Sequence, residues 1–82
     1  MFGNSGIKAT PLKEETLKRL EEQFPIGSRV ELDKMEDYSA PIAGTKGTVT
    51  YIDSMGTIFV KWDNGSGLGV VYGIDKCHRI FE

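Results

Sequence analysis

Short runs of alternating apolar and polar residues, each closed by a glycine-bearing turn, constrain this chain more than any other feature. Val30 and Leu32 alternate with Arg29, Glu31 and Asp33. Val49 and Tyr51 alternate with Thr48 and Thr50, and Ile58, Val60 and Trp62 with Phe59 and Lys61. Leu68, Val70 and Tyr72 repeat the pattern around Gly69 and Val71, and a last short run covers Cys77 to Phe81. A period of two describes half-buried strands whose named apolar residues share the inner face. Ser54-Met55-Gly56 reads as a short hairpin loop and Gly73-Ile74-Asp75-Lys76 as a tight turn before the last strand. Asn64-Gly65 predicts a type I′ hairpin turn, with Asp63 bonding to the local backbone. Only residues 35–45, MEDYSAPIAGT, form a longer loop without a pattern. Strands this short leave costly open edges if they stay flat, so a small barrel is expected.

Upstream the pattern is different. Residues 1–9 carry no periodicity and are expected to be a mobile tail. Residues 10–24 predict a helix, with Thr10 as N-cap, Pro11 as first helical residue and Glu14 and Glu15 near the positive end of the dipole. Glu14–Lys18 and Glu15–Arg19 have the i,i+4 spacing of ion pairs. Leu17, Leu20 and Phe24 share one narrow apolar face, Leu12 lies to one side, and Pro25 ends the helix. Such a helix needs a surface to pack on, either its own sheet or a second copy.

Eighty-two residues suit one domain with a thin core and little depth for a catalytic cleft. The barrel is expected over residues 26–82. Eight of the ten glycines lie from Gly27 onward, where tight turns are needed. The net charge is −2, without the basic excess of a chain whose affinity comes from phosphates. Cys77 is the single cysteine, so no intramolecular disulfide can form. A reducing, cytoplasmic setting is expected, with no apolar run long enough for a membrane span.

PIGSRVELDKM, then AGTKGTV, then VKWDNGS with Leu68 resemble a family of small domains known as domain of unknown function 4314. The likeness covers about residues 24–80. It implies an all-β fold, a five-stranded SH3-like barrel, often from bacteria, phages or other mobile elements, and it implies no reaction. Gly47-Thr48-Val49 with the strand from Ile58 to Asp63 also resembles the wider group of SH3-like barrels, which includes ribosome- and transcription-associated modules. Gly67 and Gly69 flank Leu68 where the family more often has Ser or a larger residue. The fourth strand is therefore expected to be bent, or approached closely by another backbone.

Chemistry-bearing residues are few. Cys77 and His78 are sequence neighbours, so a strand sends them to opposite faces, which argues against a nucleophile–base pair. Two Cys/His residues fall short of a structural zinc site, and Asp33, Glu36 and Asp37 lack the spacing of a calcium loop. Gly65, Gly67 and Gly69 lack the strand-to-helix context of a phosphate loop. No catalytic residue, metal or cofactor is expected. A binding surface remains. Tyr38, Pro41 and Ile42 in the long loop (with Met35 nearby), together with Trp62 and Tyr72, outline a candidate groove for an extended or proline-rich peptide. The competing reading makes Trp62 and Tyr72 caps of the barrel core. A protein or peptide partner is thus the leading expectation. The alternative is a nucleic-acid-associated module using Arg29, Lys34, Lys46 and Lys61, with Tyr51 or Phe59 stacking on bases. A homo-oligomer through the helix is a third expectation.

Overall fold

A computed structural model describes residues 11–82. Helix α1 spans Glu14–Gln23 and is followed by strands β1 (Arg29–Lys34), β2 (Lys46–Ile52), β3 (Thr57–Trp62), β4 (Val70–Val71) and β5 (Lys76–Ile80). The expected tail and the Thr10 cap lie outside the described residues. The five strands form one antiparallel sheet in the order β4-β3-β2-β1-β5.

That order forces the sheet to curl. A flat sheet of five strands would hold its two outer strands roughly 19 Å apart. Yet β4 and β5 are joined by residues 72–75 alone, a reach of at most roughly 18 Å if fully extended. The connection is also folded: Ile74 N–H and Asp75 N–H both donate to Val71 O, at 3.0 and 2.8 Å. The two edges are therefore drawn toward each other. Among the described residues no ladder joins β4 to β5, so the expected barrel is a curled sheet with an open seam.

The helix starts later than the capping pattern predicts, and the reason is tertiary. Leu12 N–H donates to Ser54 O at 3.0 Å, and the Leu12 side chain sits against Gly56, where a Cβ would lie 2.5 Å from Leu12 Cδ1. Pro11 and Leu12 are thus tied to the β2–β3 loop, and Lys13 takes the N-cap position without a side-chain cap. Lys13 O accepts the first helical bond, from Leu17 N–H. Neither Glu14–Lys18 nor Glu15–Arg19 closes to an ion pair among the described residues. The apolar face packs on its own sheet: Leu20 and Phe24 join the core, with Leu17 and Leu12 against it. After Pro25 a tight turn, Ser28 N–H to Pro25 O, uses Gly27 at φ +92° to enter β1.

Val30, Leu32, Val49, Ile52, Ile58, Val60, Trp62 and Val70 complete the core. Two features depart from simple alternation. A bulge in β2 puts Val49 opposite Val60 but Tyr51 opposite Phe59. Thr50 and Tyr51 therefore both face out and Ile52 faces in, which breaks the alternation that puts Tyr51 in phase with Val49. The fourth strand is only Val70–Val71, and just before it Gly69 lies so close to β3 that a Cβ would meet Thr57 Cγ2 at 2.5 Å. The close approach expected around Leu68 falls at Gly69, while Gly67 stands in open space.

The β2–β3 and β3–β4 turns share one chemistry. Gly56 N–H donates to Asp53 O and Asp53 N–H to Thr57 O; likewise Gly65 N–H donates to Trp62 O and Trp62 N–H to Ser66 O. Each is a three-residue loop whose last residue is a left-handed glycine, Gly56 at φ +86° and Gly65 at φ +95°. The two-residue type I′ turn expected at Asn64-Gly65 is replaced by this loop. Asn64 Oδ1 caps it by accepting from Ser66 N–H at 3.0 Å.

Candidate functional site

The expected groove is dispersed by the strand register. Trp62 is opposite Gly47, at the far end of β3 from Thr57, which is opposite Val71. Tyr72 follows Val71, so it lies near Gly56, where a Cβ would meet Tyr72 Cβ at 2.9 Å. Antiparallel strands that end in sequence with Trp62 and Tyr72 do not end at the same place. The two rings stand apart by most of the length of β3, roughly 17 Å at 3.3 Å per residue. Trp62 is 1% exposed and donates its indole N–H to Leu68 O at 2.8 Å. Its surface is spent inside the fold. Tyr38 and Ile42 are fully or largely exposed, and Pro41 is buried. The long loop is held by its own bonds, Ala40 N–H to Asp37 O and Thr45 Oγ1 to Ile42 O.

The cations named for nucleic acid are mostly engaged. Arg29, whose side chain is 28% exposed, forms a fork on Asp63 (2.9 and 2.6 Å) and donates Nε–H to Glu82 at 2.8 Å. Lys46 pairs with the same Glu82 at 3.3 Å, and Lys34 with Glu36 at 3.1 Å. Asp63 therefore anchors Arg29 rather than bonding to its own turn. Lys61 alone of the four has no ion-pair partner among the described residues. It stands on the exposed side of β3 with Phe59, whose ring lies 6.0 Å from that of Tyr51.

Hydrogen bonds from Arg29 hold the Asp63 and Glu82 carboxyls below their ordinary range. A carboxylate with a lowered folded value stabilises the fold above its unfolded value and stops doing so as pH falls through the folded one. Acid titration of stability is expected to show this loss below about pH 4–5. The loss should be smaller in Arg29→Met; an identical pH profile in that variant contradicts the assignment.

Cys77 and His78 separate as their adjacency predicts. His78 Nδ1 lies 2.9 Å from Asp33 Oδ1, and Cys77 turns toward the core. Burial, followed by the charge of Asp33, pushes the Cys77 thiol up to about 12. A thiol so protonated is no nucleophile at neutral pH. Alkylation by iodoacetamide at pH 8 is expected to be at least about tenfold slower in the folded protein than in urea. Equal rates overturn this placement. Among the described residues no group of three or more His, Cys, Asp or Glu is placed to hold a metal ion, and no helix is long and apolar enough to cross a membrane.

A concavity lies at the open seam, between the C-terminal half of α1 and the 72–75 connection. Its volume is about 540 Å³, within the range of roughly 300–1,000 Å³ usual for ligand sites. Leu20, Phe24, Ile58 and Val70 make an apolar floor. Tyr72, Ile74 and Cys77 line one wall, with Lys34 and Lys76 beside them. The wall is fixed by Asp75, whose Oδ2 accepts from Val71 N–H at 2.9 Å and whose Oδ1 accepts from Glu36 N–H at 2.7 Å. Of the five residues expected to form a groove, only Tyr72 lines this one. The others at the seam read as ordinary core, strand or turn residues in sequence, because nothing in a period-two pattern says that β4 and β5 fail to pair.

The fold defines a small antiparallel β domain with one N-terminal helix and an apolar seam. Within that class, the chain belongs to the family described as Domain of unknown function (DUF4314), whose model matches residues 13–80. No curated protein and no solved structure matches the chain significantly.

Proposed function

We propose that this chain is a non-enzymatic interaction module that binds an extended segment of a protein partner in the seam between β4 and β5. One observation carries the reading. The seam is a concavity floored by core side chains and walled by the 72–75 connection and the start of β5, where β4 and β5 do not pair with each other. An apolar recess beside the unpaired outer edge of β5 suits an extended peptide, which gains side-chain burial from the recess and main-chain bonds from that edge, whereas the outer edge of β4 is closed by the bonds of Val71 to Ile74 and Asp75. Ile74 and Tyr72 are exposed apolar residues at its rim. This relocates the site from the 35–45 loop and Trp62 while keeping Tyr72 and the class of partner. A cytoplasmic setting remains part of the proposal.

The test is selection from a random peptide library displayed on phage, followed by titration of the enriched peptide. Ile74→Ser and Tyr72→Ala are expected to weaken binding by about tenfold or more, as truncation of an interface anchor does. Tyr38→Ala and Ile42→Ser should leave it unchanged. The reverse pattern, or no enrichment, contradicts the proposal. A second reading, nucleic-acid association, has the exposed Tyr51–Phe59 pair beside Lys61 in its favour. Against it stand the fork of Arg29 on Asp63 and the Glu82 carboxylate that Arg29 shares with Lys46. Salt-sensitive binding of single-stranded DNA, lost in Tyr51→Ala and Phe59→Ala, is the result that favours it.

A further inference from the structure

Lys34 and Lys76 stand directly opposite each other on the β1–β5 ladder, and both line the seam. Like charges in register on neighbouring strands destabilise a sheet. The pairing is not forced by the sequence. Leu32 is opposite Cys77, so regular antiparallel register would set Asp33 opposite Lys76, a complementary pair. A bulge between Leu32 and Lys34 removes that match and brings Lys34 to Lys76 instead. Asp33 is left to meet His78, at 2.9 Å. Bulges re-aim side chains next to sites, and this one gathers two cations at the edge of an apolar recess.

Asp75 is the one acid that lines the recess with them, and its oxygens are turned to the backbone N–H groups of Glu36 and Val71 rather than to either lysine, so the lining keeps a net positive charge. Glu36 holds Lys34 at 3.1 Å through an ion pair whose side chains are 63% and 54% exposed, a contact worth little in water. Lys76 has no ion-pair partner among the described residues. An apolar floor with two lysines in register at its edge is complementary to an apolar side chain next to a carboxylate.

We propose that the seam recognises an extended, acidic–apolar peptide segment of a partner protein. A leucine-sized side chain enters over Leu20, Phe24, Ile58 and Val70, and a neighbouring carboxylate is bound between Lys34 and Lys76, displacing Glu36. This rests on the reading of the seam as a peptide site. The apolar floor supplies burial and the lysine pair supplies selection between acidic and neutral sequences.

Two capped peptides test it, acetyl-Gly-Leu-Glu-Leu-Gly-amide and the same peptide with Gln in place of Glu, titrated into the 15N-labelled chain at low salt. The expected result is binding of the Glu peptide at least fivefold tighter, with shifts at Tyr72, Ile74 and Cys77. That preference should disappear in the double variant Lys34→Gln/Lys76→Gln. Thermal melting of the free Lys76→Gln variant should give a Tm equal to or above that of the parent, because a like-charge contact is removed. Equal affinity of the two peptides at the seam overturns the carboxylate recognition and leaves the peptide site standing. Binding of neither peptide at the seam overturns both. A lysine double variant that keeps the Glu preference, or a Lys76→Gln variant that melts lower, also contradicts the proposal.

Discussion

Gly47→Ala is expected to destabilise the protein by about 1–3 kcal/mol in urea denaturation, a sizeable part of the roughly 5–15 kcal/mol typical of a small domain. Gly47 is opposite Trp62 in the β2–β3 ladder. A Cβ added there would lie 2.5 Å from Val60 Cγ1, 2.8 Å from Lys61 O and 2.9 Å from Trp62 Cε3. One of those neighbours is backbone and another is the largest ring in the core, so neither can yield cheaply. Alanine would otherwise favour a strand interior over glycine by roughly 0.5–1 kcal/mol, so the sign of the effect isolates the clash. Gly67→Ala is the matched control: a Cβ there meets nothing within 4 Å, and stability should not fall. A Gly47→Ala protein as stable as the parent contradicts the packing of the Trp62 ring over the glycine.

Trp62→Ala is expected to cost about 3–5 kcal/mol, the usual range for deleting a large buried aromatic. The ring is 1% exposed, and its N–H is satisfied by Leu68 O at 2.8 Å. Trp62→Phe separates the two contributions. It keeps most of the apolar contact but leaves the Leu68 carbonyl without its donor, at about 1–3 kcal/mol. Fluorescence of the parent should be blue-shifted and insensitive to iodide, and should not change when a peptide occupies the seam. A ring quenched readily in the folded state would place Trp62 at the surface and restore the groove shared with Tyr38.

Much of the sheet was legible in the residues. Val30 and Leu32, then Ile58, Val60 and Trp62, lie inward as their alternation implies. Leu17, Leu20 and Phe24 bring the helix onto the sheet. What alternation does not reveal is where register slips. The bulge at Thr50 turns Tyr51 outward, and the one beyond Leu32 sets two lysines opposite each other. Both depend on how neighbouring strands meet, which no window of one strand contains. Local turn chemistry also gave way to tertiary demand. Asn64-Gly65 has the residues of a two-residue turn, yet Asp63 is drawn to Arg29 of β1 and the loop closes with one more residue. Pro11 does not open the helix because Leu12 is fastened to Ser54 and Gly56.

The seam was the least legible feature, and it carries the functional account. Its floor is four core positions drawn from α1 and its C-cap, β3 and β4, and its wall is a turn held by Asp75 to both Val71 and Glu36. Sequence draws attention to aromatic rings in long loops. The fold instead leaves its recess where the first and last strands of the sheet order approach without pairing. Intermolecular NOEs between a selected peptide and the methyl groups of the 13C-labelled protein test this most directly. The account predicts contacts to the methyls of Leu20, Ile58, Val70 and Ile74; contacts confined to Ile42 and the rest of the 35–45 loop would contradict it.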